Sequence, residues 1–226
     1  MALGPFYVAQ KLKNSRHHGI AILMRHGETE WNREGRVMGR SPIPLSADGR
    51  AQVAAAAAFA RELAPDLIVT SPLIRARETG EIVAAALGSV PVIDEPRLTE
   101  VEYGRWEGKA FGELIKDEVY VNYRDHPLTM ATPGGETLAI AQARGVAAVE
   151  DVMANNQNRR VLFVSHGDII RTIVCHYMRL ELSHFRRLRV DNAAFTAFEM
   201  GDNFAEIKFI NLVPDPARAF IAPFHA

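Results

Sequence analysis

Three short, uninterrupted apolar runs, each closed by a cluster of polar residues, most constrain what this chain can fold into. Ile20-Ala21-Ile22-Leu23-Met24 is followed by Arg25-His26-Gly27, Leu67-Ile68-Val69-Thr70 by the segment from Ser71 to Arg75, and Val161-Leu162-Phe163-Val164-Ser165 by His166-Gly167. Runs of this length, rich in β-branched residues and without polar alternation, suit strands covered on both faces. That pattern predicts a parallel sheet between two layers of helices.

The intervening segments supply the helices. Ser46 can cap a helix through the alanine-rich stretch to about Leu63, and Pro72 suits the first turn of another that passes Ala76 and Ile82 and stops near Gly88. Leu138, Ala141, Gly145, Val149 and Val152 recur at helical spacing before the polar run at 155–158, and a further helix is expected over 168–180. Val92-Ile93 reads as a short edge strand, and 195–199 and 206–212 as two more strands. The amphipathic stretch 111–123, bounded by Gly108 and Pro127 and closed by Gly134-Gly135, predicts one helical flap outside the sheet. The expected fold class is therefore α/β: a three-layer αβα sandwich with a mostly parallel sheet, an antiparallel edge strand and a helical flap at about 105–136. The domain should span 20–213, with an N-terminal extension at 1–19 and a tail at 214–226.

Composition narrows the function. Twenty-six Lys and Arg against 27 Asp and Glu leave a net charge of -1, so nucleic acid is not an expected partner and any preference for anions must be local. No apolar stretch is long enough to span a bilayer and the first 19 residues lack a secretory core, so no membrane association is expected. The single Cys175 sits in an apolar run and excludes a disulfide framework; it reads as a buried, inert thiol, compatible with a reducing cytoplasm. Lys11, Lys13, Arg16, His17 and His18 read as a solvated tail. No spacing joins His17, His18, His126, His176 or His184 to carboxylates or thiols, so no metal and no cofactor is expected.

In an open α/β sheet, ligands bind at the carboxyl edge of the strands. Arg25, Arg75, His26 and His166 would meet there, and two guanidinium groups with a helix start after Gly167 would attract a dianion. A histidine with an ordinary pKa of about 6.5 is largely neutral at physiological pH and can attack phosphorus through one ring nitrogen while the other donates to a backbone carbonyl. His26 is the expected nucleophile, His166 a hydrogen-bond donor to the transferring oxygens, and Glu100 the candidate acid.

Leu23-Met24-Arg25-His26-Gly27-Glu28-Thr29, with Trp31-Asn32 behind it, resembles the signature of the histidine phosphatase superfamily, which includes the cofactor-dependent phosphoglycerate mutases. Further matches follow in the family's order: Pro44-Leu45-Ser46, Ser71-Pro72-Leu73-Ile74-Arg75-Ala76, Leu98-Thr99-Glu100, Gly104-Arg105-Trp106-Glu107-Gly108, Pro133-Gly134-Gly135-Glu136-Thr137 and Val164-Ser165-His166-Gly167. The resemblance implies His26 as phosphoacceptor, Arg25, Arg75 and His166 as the phosphate pocket, and Glu100 as proton donor, without a metal. It also implies phosphate contacts from Asn32 and Gly167, and places Glu28, Thr29 and Gly39 near the substrate.

Three readings then compete. A metal-independent phosphatase acting on a small phosphorylated metabolite is favoured by Gly104-Arg105-Trp106-Glu107-Gly108 and by Val101-Glu102 after the acid, where mutases carry Arg-His. Tyr103 is the mutase-like detail. A silent phospholigand-binding protein ranks last, because nucleophile, both arginines, second histidine and acid are all present. Arg40-Ser41 departs from the family at the pocket rim. Arg36, Arg40, Lys109, Lys116 and Arg124 are candidates to read a second anionic group, against the plainer reading of solvated charges. Trp31 and Trp106 could wall the pocket or pack the core. The tail, with Phe220 and Phe224, could pack on the domain or meet a second copy, so a homodimer stays open.

Overall fold

The computed structural model describes residues 17–202 and 204–214. Six strands form one sheet: β1 (His17–Arg25), β2 (Leu67–Thr70), β3 (Val92–Asp94), β4 (Arg159–Ser165), β5 (Phe195–Gly201) and β6 (Phe204–Leu212), in the order β3-β2-β4-β1-β5-β6. The first four pair in parallel; β5 is antiparallel to β1, and β6 to β5. The reversed strand therefore lies one position in from the edge, and the edge strand β6 points the same way as β1.

Alternate side chains of β1 enter different cores, which explains its unbroken apolar run. Ile22 and Met24 pack with Val53, Ala60, Ile68 and Val83, whereas Ala21 and Leu23 pack with Ala141, Val149, Ile169 and Ile173. The first group involves α2 (Ala47–Leu63) and α3 (Ile74–Ala86); the second involves α6 (Leu138–Asn155) and α7 (Gly167–Met178). Fully burying one such aliphatic side chain stabilises the fold by about 1.5–3 kcal/mol, so polar alternation on either face would be selected against. The alanines of α2 let it lie close to the sheet at Ala56, Ala57 and Ala60.

Helix ends follow local chemistry. Ser46 accepts from the Gly49 N–H at 2.9 Å and Thr137 from the Ile140 N–H at 3.2 Å, each satisfying an otherwise orphan donor. A short first helix, α1 (Glu30–Arg33), is closed by a capping box between Thr29 and Asn32.

Several boundaries differ from expectation. β1 begins at His17, so 17–19 belong to the sheet and not to the extension. The helix after Pro72 starts two residues later, at Ile74. The flap is two helices, α4 (Phe111–Leu114) and α5 (Glu118–Asp125), because Asp117 caps a new start by accepting from Val119 and Tyr120. The tail beyond 214, with Phe220 and Phe224, and the basic residues Lys11, Lys13 and Arg16 lie outside the described residues. Among those described, no helix is long and apolar enough to cross a membrane.

Candidate active site

β1, β4 and β2 are parallel neighbours, so their carboxyl ends meet on one edge. Arg25 pairs in register with Ser165, which makes His26 and His166 the next residues of adjacent strands; the His26 N–H donates to Ser165 O at 3.0 Å. Their ring centroids are 5.2 Å apart. Arg75 comes in from the first turn of α3. The sequence-expected quartet of Arg25, His26, Arg75 and His166 is thus brought together.

His26 is 1% exposed. Its Nδ1 lies 2.7 Å from Gly27 O, an atom that only accepts, so Nδ1 carries the proton and Nε2 keeps its lone pair. Asn192 Nδ2 holds the His26 carbonyl at 3.0 Å, and the Gly27 N–H donates to Thr79 Oγ1 at 3.1 Å. A side chain at Gly27 would run into Val53 and the Gly49 carbonyl, so only glycine lets α2 approach this turn. Ser71 Oγ accepts from the Leu73 N–H and lies 2.7 Å from His166 Nε2; in the tautomer where the hydroxyl donates to Nε2, His166 Nδ1 carries the proton and is left to donate. Burial, followed by the charges of Arg75 and of other neighbours including Arg25, pushes both imidazoles well below the ordinary histidine range, so both stay neutral.

The arginines are anchored but incompletely satisfied. Arg25 donates to Val190 O at 2.8 Å, and Arg75 to Ser41 O and Gly39 O at 2.9 and 2.7 Å. Burial lowers each guanidinium to about 10, which leaves it cationic at neutral pH. Arg25 Nε, Arg75 Nε and His166 Nδ1 are sealed from solvent with no hydrogen-bond partner among the described residues. Three such donors at one strand edge fit the oxygens of a phosphoryl group.

Glu100 is half-buried and accepts from the Val101 N–H at 2.9 Å and from the Asp168 and Ile169 N–H groups at 3.3 Å. Two of the donors at the start of α7 therefore serve this carboxylate and not a ligand, which leaves Gly167 as the backbone donor of that turn. Burial and then the Asp168 charge push Glu100 above the usual carboxylate range. Asp168 is held down, against burial, by Arg171 and by the Tyr103 hydroxyl. Two neighbouring carboxyl groups driven apart in this way are equipped for different roles.

A cavity of about 410 Å³ opens over these groups, lined by Arg25, Asn32, Gly39, Glu100 and Gly167 among the expected residues. His26, Arg75 and His166 lie behind this lining, at 1% exposure or less. Glu28 and Thr29 are not part of it. Glu28 accepts from Arg33, and the Thr29 hydroxyl is used inside the α1 cap and against Met38. Asn32 Oδ1 is committed to Thr29 and Asn192, so only its NH2 group can serve a ligand. Gly39 is held at φ +50°, where a Cβ would collide with the Glu107 carboxylate. Arg40 meets Glu102 and Glu136, and Trp106 is core, edge-on to Tyr120 and Tyr123.

Sequence reasoning gave no site role to Ser71, Asp168, Arg171, Arg186 or Asn192; Ser71 meets His166, Asp168 meets Tyr103, Arg186 meets Arg124 and Asn192 meets His26, all far along the chain. A separate 180 Å³ cavity beside α2, walled largely by alanines, holds no titratable group. Among the described residues no three His, Cys, Asp or Glu side chains are grouped as a metal site. His18 meets Asp202, and Cys175 is buried with its thiol pushed up by burial.

Known proteins resemble this chain in sequence and in fold. Phosphoserine phosphatase 1 of Hydrogenobacter thermophilus is 32% identical over 84% of this chain and 91% of its own length. A probable phosphoglycerate mutase GpmB of Escherichia fergusonii is 36% identical over 77% and 81%. Among solved structures, YhfR of Bacillus stearothermophilus superposes with a TM-score of 0.81 at 27% identity over 86% of this chain and 98% of that one. A mycobacterial glucosyl-3-phosphoglycerate phosphatase with VO3 gives 0.78 at 27% over 86% and 99%. The model of the histidine phosphatase superfamily, branch 1, matches residues 21–213. The chain belongs to that superfamily.

Proposed function

We propose that this enzyme hydrolyses phosphate monoesters of small metabolites in two steps, through a phosphohistidine on His26. The observation that carries the reading is the trio of sealed, unpartnered donors, Arg25 Nε, Arg75 Nε and His166 Nδ1, around a neutral imidazole. Nε2 of His26 attacks phosphorus; the P–N bond forms as the ester P–O bond breaks, and the departing alkoxide takes the proton of Glu100. Water then attacks phosphorus, gives a proton back to Glu100, and the P–N bond breaks to release phosphate. Arg25, Arg75 and His166 stabilise the charge on the equatorial oxygens in both steps. These groups supply nucleophile, charge and proton, so the reaction needs no metal.

His26→Ala should abolish turnover and the acid-labile phosphate trapped on the protein during turnover of a ³²P-labelled ester. Normal hydrolysis of an aryl phosphate by that variant would overturn the reading. A mutase reading, in which the phosphoryl group returns to a second hydroxyl, draws on Tyr103 and on the 36% identical probable mutase. Label appearing in water and not in an isomeric ester separates the two.

A further inference from the structure

The flap side of the cavity carries a cation that the two-step chemistry does not use. Arg171 is neutralised by Asp168 at 2.6 Å, and Arg36 by Glu34 at 2.5 Å. Arg25 belongs to the phosphate pocket. Arg186, which also lines the cavity, has no carboxylate within ion-pair distance among the described residues; its one hydrogen bond is a 3.3 Å contact to the Arg124 carbonyl. Its guanidinium is stacked over the rings of Phe185 and Tyr123, with its carbon 5.1 and 5.7 Å from their centroids. Stacking fixes the plane of the group while leaving its N–H edge free, the geometry in which an arginine receives a carboxylate side-on.

The acids nearby are already engaged. Asp168 is bonded to Arg171 and Tyr103, and Glu100 takes three backbone N–H groups. The sealed hydroxyl of Tyr123, on the ring beneath Arg186, also lacks a partner among the described residues. Once a phosphate dianion sits between Arg25 and Arg75, Arg186, an exposed side chain whose charge is felt by Asp168 and Asp125 but which forms no ion pair with either, remains available in the cavity lining.

We propose that Arg186 reads a second anionic group on the substrate, so that the preferred esters are those whose alcohol carries a carboxylate. This deepens the phosphatase reading and rests on it for the phosphate end only. An ester lacking the carboxylate still reaches His26 but forgoes one charge-assisted contact.

Two matched pairs test the idea at short and long reach: O-phosphoserine against O-phosphoethanolamine, and 4-carboxyphenyl phosphate against phenyl phosphate. Dissociation constants are measured calorimetrically on the His26→Ala protein, with and without Arg186→Gln, so that binding is read whether or not turnover occurs. At least one pair should favour the carboxylate about tenfold, as one charge-assisted hydrogen bond implies. Arg186→Gln should bring that pair to within about twofold by weakening only its carboxylate member, with Arg186→Lys in between. No preference in either pair, or a preference that survives Arg186→Gln, overturns the proposal. Equal weakening of both members would mean that Arg186 only packs the wall, and overturns it too. Failure of the phosphatase reading shows separately, as no phosphate released from any of the four esters by the unaltered protein.

Discussion

Two buried arginine clusters meet at Glu100, and they are built on opposite terms. Behind the acid's backbone, Arg144 donates to Glu136 at 2.6 and 3.0 Å and to the carbonyls of Arg97, Thr99 and Glu100 at 2.6 to 3.0 Å. Glu136 also accepts from Arg40 and the Glu102 N–H; burial would raise it, but Arg144 holds it down. In front of the acid's carboxyl group, Arg25 and Arg75 keep sealed nitrogens with nothing to donate to. The first cluster holds the loop that carries Glu100, and the second leaves its donors for a ligand. Buried charge by itself marks neither role; the presence or absence of partners does.

The sharpest way to break this contrast is to remove Arg144. Arg144→Met leaves Glu136 buried without its main partner and should destabilise the fold by about 3–5 kcal/mol, roughly 10 °C in Tm for a chain of this size. A calorimetric scan that finds little change would show the cluster to be dispensable. Next comes inorganic phosphate. At about 100 times its dissociation constant it should stabilise the parent protein by about 2.7 kcal/mol. Arg75→Met should erase that shift while Arg144→Met keeps it, and loss of the shift in both would merge the two clusters.

The histidines give an effect graded with pH. His26 and His166 have folded pKa values depressed by burial, so below the unfolded value of about 6.5 the unfolded chain binds more protons than the native one. Stability contributed by their neutrality is intact above that value. As pH falls below it, stability should decline by up to about 1.4 kcal/mol per unit for each histidine. Urea titrations from pH 7 to pH 5 should show this slope, and His26→Gln should halve it. The smallest effect is expected at Asp168→Asn: removing that charge lets Glu100 ionise more easily, so the alkaline limb of kcat should move to lower pH, whereas a purely structural Asp168 would change the amplitude and not the limb.

What the sequence made legible follows the range of the interactions involved. The strands β1, β2 and β4 stand where their apolar runs are, and Arg25, His26, Arg75 and His166 are legible because each sits within a few residues of a strand end. The flap break was also local, since Asp117 is a ready cap, but amphipathic periodicity ran through it. Thr29 spends its side chain closing a turn, whereas Asn32 both closes that turn through its oxygen and lines the cavity. Asp168, Arg186 and Asn192 could not be found by reading along the chain: Asp168 matters through Tyr103, 65 residues away, and Asn192 through His26, 166 away. Glu136 belongs to a recognisable motif, yet only the fold shows that it grips Arg144.

One consequence of the β1–β4 register reaches past this protein's own substrate. Because the two imidazoles stand at the same level, each one residue past the last paired rung of neighbouring strands, their mutual placement is inherited from backbone pairing. The loops and short helices above can then be lengthened, shortened or rewritten without moving the two imidazoles relative to each other. A scaffold of this kind can change its diet while keeping its chemistry.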